Sequence, residues 1–158
     1  MLLYAAIIGL LALLGGIFWY GNQDTPELEQ VEIELTSVEL ISVNTVEGTT
    51  KLSTTFLVKN PSDTTFTVSL IDYQLYADGE LLGSGQYSTV DVAMPGRAIF
   101  SSGAEIPLKN TIELKKSEIN DEIYQKVLEN DVESYRAEGT INTESAWSSS
   151  EKKFDSST

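Results

Sequence analysis

Leu52, Phe56 and Val58 share one parity and Lys51, Ser53, Thr55 and Lys59 the other, and this alternation stops at Asn60-Pro61. A period of two puts successive side chains on opposite faces of a strand, so one face is dry and the other wet. Proline has no N–H for a ladder and drives the residue before it toward an extended or turn geometry, so the strand ends there. Phe66, Val68 and Leu70 then alternate before the apolar parity passes to Ile71, Tyr73 and Leu75, as a β-bulge near Leu70 and Ile71 would produce. Asp78-Gly79 is a hairpin turn leading into a strand over residues 80–90. Pro95-Gly96 has the residues of a type II turn. Residues 97–108 read as a further strand, with Gly103 an irregularity and Pro107 marking an edge or strand end. Short alternating runs joined by tight turns restrict the chain to antiparallel β architecture.

The order of Asn60, Pro61, Tyr73, Gly79, Leu82, Gly83, Gly85, Pro95 and Gly96 resembles the late-embryogenesis-abundant type 2 domain, also called the water stress and hypersensitive response domain. The resemblance covers roughly residues 31–154 and is most specific between Leu52 and Leu108. It implies a β-sandwich in which a helix precedes a final strand carrying a glycine, a place that Gly139 fills. It also implies a role linked to desiccation, salt and defence stress. No catalytic residue set travels with the family, and some members carry an N-terminal transmembrane segment.

Outside the central stretch, Val31, Ile33 and Leu35 begin a long bulged strand reaching Val43, and Glu47-Gly48 follows as a turn. Ile119, Ile123, Tyr124, Val127 and Leu128 recur at helical spacing, which predicts one helix over 118–129 capped by Ser117. Residues 132–142 return to strand alternation. Trp147 and Phe154 stand in a Ser-rich tail; part of that tail is expected to dock, with a disordered end over 155–158. About seven strands and one short helix are expected: an all-β, two-sheet antiparallel sandwich, immunoglobulin- or fibronectin III-like, over residues 31–154.

Residues 2–20 contain no charged side chain, and about 20 residues at ~1.5 Å each match a bilayer's hydrocarbon thickness. Residues 1–21 are therefore read as a transmembrane anchor closed by Phe18, Trp19 and Tyr20 at the interface, and 22–30 as a linker. A cleaved signal peptide is the competing reading, but a basic leading region and a small-residue cleavage pattern are both missing. Orientation is set with the N-terminus inside and the domain outside; a domain facing the cytoplasm is the alternative. Ala5, Gly9, Ala12 and Gly16 fall along one helical face, where an integral membrane protein could pack, although small residues are also simply frequent in membrane helices.

The 158-residue chain has neither Cys nor His. This excludes thiol and Ser-His-Asp chemistry, disulfides, and the usual nitrogen and sulfur sites for zinc, iron and copper. Gly83-Ser84-Gly85 lies in β pattern without a following Lys-Ser or Lys-Thr, so it is no phosphate loop. No catalytic residue, cofactor or metal site is assigned. Asp121-Glu122 and Glu129 with Asp131 could hold a hard cation loosely, but helix-end electrostatics account for the first pair. Tyr73, Tyr76, Tyr87 and Tyr135 are read as core or half-buried strand residues. Twenty-four acidic against 10 basic residues give a net charge of −14, which excludes nucleic acid as a partner. The expected function is non-enzymatic: a membrane-tethered module for stress protection or interaction, or alternatively a small accessory subunit of a membrane complex. The expected partners are the lipid bilayer and an integral membrane protein.

Overall fold

The alternation ending at Asn60 is strand β2 (Thr49–Lys59) in the computed structural model, which describes residues 2–21, 25–90 and 96–158. Thr50, Leu52, Thr54, Phe56 and Val58 are buried, and the residues between them are not. β1 (Glu32–Asn44) pairs with one edge of β2 and β6 (Glu105–Lys115) with the other, both antiparallel. The second sheet is built on β3 (Phe66–Ala77). β4 (Glu80–Ser88) and the short β5 (Ile99–Phe100) lie along one edge of β3, and β7 (Tyr135–Glu144), then β8 (Ser149–Ser157), along the other. β6 lies beside β4 and β1 beside β8, where the Leu35 N–H donates to Ser156 Oγ at 2.9 Å. Between the sheets Phe56 meets Tyr73 and Phe154 edge-on, at 4.8 and 5.8 Å between ring centres, and within the second sheet the register partners Phe66 and Phe100 stack.

The bulge anticipated near Leu70 is a register shift between Val68 and Leu70 against β7. β1 carries two such shifts, at Leu35/Ser37 and Leu40/Ser42. Asp78 and Gly79 take φ of 49° and 87°, the left-handed pair of a two-residue hairpin whose twist suits the strands on either side. The Asp78 side chain does more than turn the chain. Its Oδ1 accepts from the amides of Glu133 and Ser134 at 2.9 and 3.1 Å, and its Oδ2 meets Lys126 Nζ at 3.1 Å. These donors, led by Ser134 N–H and Lys126, hold the Asp78 carboxyl below its ordinary range.

A depressed carboxylate stabilises the fold above its unfolded pKa and loses that contribution as pH falls through its folded pKa. Asp78→Asn keeps the turn geometry and an acceptor while removing the charge. The variant is expected to melt below the parent at neutral pH, with the two melting temperatures converging in strong acid. Circular dichroism melts of the full chain in mild detergent across that range check this; a pH-independent gap would refute it.

Several expectations need correction. The single strand read over 97–108 is two, because a turn through Gly103 carries the chain from β5 in one sheet to β6 in the other. Pro107 sits inside β6, which is tolerated because β6 is an edge strand that pairs with β2 alone among the described strands. The helix α3 (Asp121–Glu129) starts later than predicted: Lys116–Glu118 forms a 3₁₀ turn, and the cap is Asn120, whose side chain accepts from Glu122 N–H at 2.9 Å, rather than Ser117. Gly139 lies in the penultimate strand, not the final one. The tail does not fade at Phe154 either, since β8 runs to Ser157 and the Thr158 amide bonds the Tyr135 carbonyl. Of the two tail aromatics, Phe154 is buried and Trp147 is exposed. Eight strands thus stand among the described residues.

At the N-terminus, α1 (Leu2–Gly21) is a 20-residue helix without a charged side chain. Side chains in it are described for Tyr4 and residues 7–19, and all are exposed. Among the described residues no helix is long and apolar enough to cross a membrane: 13 consecutive residues make roughly 20 Å, short of the roughly 30 Å of hydrocarbon. The anchor expected over residues 1–21 therefore rests on the sequence. A Cβ added at Gly9 or Gly16 would meet nothing within 4 Å; Ala12 is exposed, and the Ala5 side chain lies outside the described residues. Residues 22–24 of the expected linker also lie outside them. The domain begins earlier than residue 31, because α2 (Thr25–Leu28) fully buries Leu28.

Candidate functional site

Tyr73 stands between Gly85 and Gly139 in one cross-strand row. Its side chain points from β3 across the core. There its hydroxyl lies 2.7 Å from Thr54 Oγ1 on β2 and accepts from Asn110 Nδ2 on β6 at 3.0 Å. One phenol thus ties both sheets and satisfies a buried threonine; burial pushes its pKa up, against the two hydrogen bonds. A second Tyr–Thr pair, Tyr124 with Thr50 at 2.6 Å, fastens α3 to β2 in the same way.

Gly85, Tyr73, Gly139 and Phe154 are register partners across four adjacent strands. Both glycines are required by close approach. A Cβ on Gly85 would stand 2.4 Å from the Tyr73 ring, and one on Gly139 would stand 1.9 Å from the Asp72 carbonyl oxygen. Gly83 is different, since a Cβ there meets Ile112 and Leu114 at an ordinary 3.7 Å. Gly79 serves the hairpin. Asn60 is buried at the end of β2 and holds the following loop, whereas Pro61 and Gly96 are exposed, and Pro95 lies outside the described residues.

On the outer face of the same row, an open groove of about 790 Å³ crosses β4, β3, β7 and β8. Its floor is the backbone of the glycine–tyrosine row, and its walls include Asp72, Gln86, Glu138, Lys153 and Asp155. The acids are engaged. Gln86 Nε2 donates to Asp72 at 2.7 Å, and Arg136 donates to both Asp155 oxygens at 2.7 and 2.6 Å and to Glu138 at 2.6 Å. Arg136 holds the Asp155 carboxyl below its ordinary range, the opposite of the raised value a general acid needs at neutral pH. Tyr76 completes the cluster, its hydroxyl 2.8 Å from Glu138, and that hydrogen bond pushes the phenol up. The arrangement offers hydrogen-bond acceptors and a cation beside a shallow polar floor.

Among the described residues no three acidic or other ligating side chains converge on a metal position. Asp121 and Glu122 sit in the first turn of α3, where Asp121 faces Lys116 at 3.9 Å. Tyr76, Tyr87 and Tyr135 are half-buried. The sequence reading missed Asn110, which lies beyond the point where the strand was expected to end, and the Arg136 cluster, which only strand register assembles.

No protein-family model and no curated protein matches the chain. Solved structures do resemble it. A protein from Arabidopsis thaliana solved in solution is 12% identical with a TM-score of 0.53, covering 80% of this chain and 78% of its own. A protein from Archaeoglobus fulgidus is 14% identical with a TM-score of 0.47, over 79% of this chain and 94% of its own. A protein described as late-embryogenesis-abundant is 12% identical with a TM-score of 0.40, over 96% of this chain and 83% of its own. At these identities the likeness to the Arabidopsis protein is one of fold alone: an antiparallel two-sheet β architecture with a few short helices.

Proposed function

We propose that the chain is a membrane-tethered, non-enzymatic β-sandwich of the late-embryogenesis-abundant type 2 kind, holding a hydrated acidic domain at the outer face of a membrane and protecting the proteins or lipids beside it. The observation that carries this reading is α1, whose Ile8, Leu11, Leu13 and Ile17 stand exposed on an uncharged helix. Leaving such side chains in water costs about 1.5–3 kcal/mol each relative to burial, and a bilayer removes that cost. The sandwich has the reverse character, because the net charge of −14 lies entirely outside α1, and such charge favours hydration and solubility.

Alkaline carbonate extraction of membranes is expected to leave the full chain in the pellet and to release a chain beginning at Thr25. Release of the full chain would overturn the anchor. Protease added to sealed cells should digest the domain if it faces outward, and deletion of the domain should lower survival of drying or salt stress; an unaltered stress phenotype counts against protection. Purification in mild detergent addresses the accessory-subunit reading, which a partner retained at fixed ratio would favour.

A further inference from the structure

Trp147 is 74% exposed at the tip of the β7–β8 turn, and Val90 and Ile99 are exposed as well. Register places Ile99 and the turn bearing Trp147 at one end of the sandwich, and Thr89, bonded to the Val68 and Ser69 carbonyls, brings Val90 to the same end. Thr67, at the start of β3, pairs with Ile99 on one side and Glu144 on the other, and Glu144 pairs with Ser149, so β5 and the turn over 145–148 flank the same strand end. Arg97 joins them by donating to the Val90 carbonyl and to Glu144, both at 3.3 Å.

The N-terminal segment enters at this end. Glu27 of α2 accepts a hydrogen bond from the Thr64 hydroxyl in the loop after β2, and Lys152 of β8 donates to the Val31 carbonyl at 2.6 Å. Asn60 bonds both Thr64 and Phe100, which sets that loop against β5. Only residues 22–24 separate α1 from α2, and the four steps from Gly21 to Thr25 reach at most about 14 Å. The opposite end also exposes apolar side chains, Val46 above all. It lies a 13-residue strand away, roughly 40 Å, well beyond the reach of the tether, so the first end is the one held beside α1.

Resting on the anchored reading above, we propose that the end of the sandwich bearing Trp147, Val90 and Ile99 lies against the headgroup region of the bilayer that α1 enters, with Trp147 as its interfacial contact. An indole suits that depth because its apolar body and N–H prefer the boundary between hydrocarbon and water. The surface engaged is zwitterionic lipid. Glu29, Asp63 and Glu105 are exposed at this end, and anionic headgroups would repel them.

The chain has two tryptophans, Trp19 in α1 and Trp147, so each can be observed alone. Full-length Trp19→Phe and Trp147→Phe proteins are reconstituted in phosphatidylcholine vesicles containing lipid brominated either near the carbonyl end or near the tail end of the chain. Trp147 is expected to lose fluorescence with the shallow bromines and far less with the deep ones, and to lose less when phosphatidylserine replaces part of the phosphatidylcholine. Quenching of Trp19 with an unchanged Trp147 would overturn the contact and leave the anchor standing. Failure of both to quench would overturn the anchor and the contact with it.

Discussion

Replacing Gly139 by alanine is expected to cost at least about 3 kcal/mol, the upper end of ordinary overpacking, and to lower the melting temperature by roughly 10 °C. The added Cβ would stand 1.9 Å from the Asp72 carbonyl oxygen, 2.8 Å from the Tyr73 Cα and 2.9 Å from the Asp72 carbonyl carbon. All three obstacles are backbone atoms of β3, the strand that β7 pairs along most of its length. A side chain in the way could rotate; a central strand moves only by breaking its ladder. Any displacement of Tyr73 also pulls its hydroxyl from Thr54 and Asn110, leaving a buried threonine short of its partner. Gly83→Ala is the control. Its Cβ makes ordinary contact at 3.7 Å, so a change within about 0.5 kcal/mol is expected. Melting of the two full-length variants in mild detergent compares them directly, and equal melting temperatures would refute the close-approach argument.

Gly139 shows where sequence reading reaches its limit. Its place in a strand is legible from the alternation around it, but the need for glycine depends on how closely β3 passes, which is a property of register. Tyr73 and Gly85 were legible as motif positions for the same chain, while the groove beyond them requires four strands to be aligned before its residues become neighbours. The bulge in β3 and the Asp78-Gly79 hairpin were legible because each is a local event, a parity slip in one case and two left-handed residues in the other. The distal half of β6 was hidden because Asn110 occupies a place in the run Leu108, Asn110, Ile112, Leu114 where the pattern calls for an apolar residue; it is there to bond Tyr73. β8 was hidden for a related reason. Phe154 is its only buried large apolar residue, so its strand state comes from the ladder with β7, and a serine-rich composition reads as disorder until that ladder is known.

Asn60→Ala is expected to cost roughly 3–5 kcal/mol, since each buried polar group left without a partner costs about 1–3 kcal/mol. The amide is almost fully buried and engaged at both ends: Nδ2 donates to the Thr64 and Phe100 carbonyls, each at 2.9 Å, and Oδ1 accepts from the Ser62 amide and hydroxyl at 3.0 and 2.8 Å. Its backbone adds bonds to Ala104 and Gly103 in the turn into β6, while the side chain alone joins the end of β2, the loop over 60–65 and β5. Alanine removes all four bonds together, taking from the Phe100 carbonyl and the Ser62 amide the partner that Asn60 supplied and leaving the Thr64 carbonyl only the Ser62 hydroxyl at 3.4 Å. Asn60→Asp separates this account from a simple loss of packing, because it keeps the shape and the acceptor for Ser62 but turns a lone pair toward two carbonyl oxygens. A carboxylate held there has a raised pKa, so the folded state prefers it protonated. The part of its penalty that comes from ionisation is absent below the unfolded pKa, grows as pH rises toward the folded pKa and is complete above it, the reverse of the slope expected for Asp78; the protonated form, with one donor for two carbonyls, keeps the rest. Denaturation of both variants at neutral and acid pH therefore reads the hydrogen bonds directly: Asn60→Ala should stay displaced from the parent at every pH, and Asn60→Asp should recover part of its deficit on acidification. An Asn60→Asp protein whose deficit does not change with pH would show that the amide's two donor bonds are not what holds this end of the sandwich.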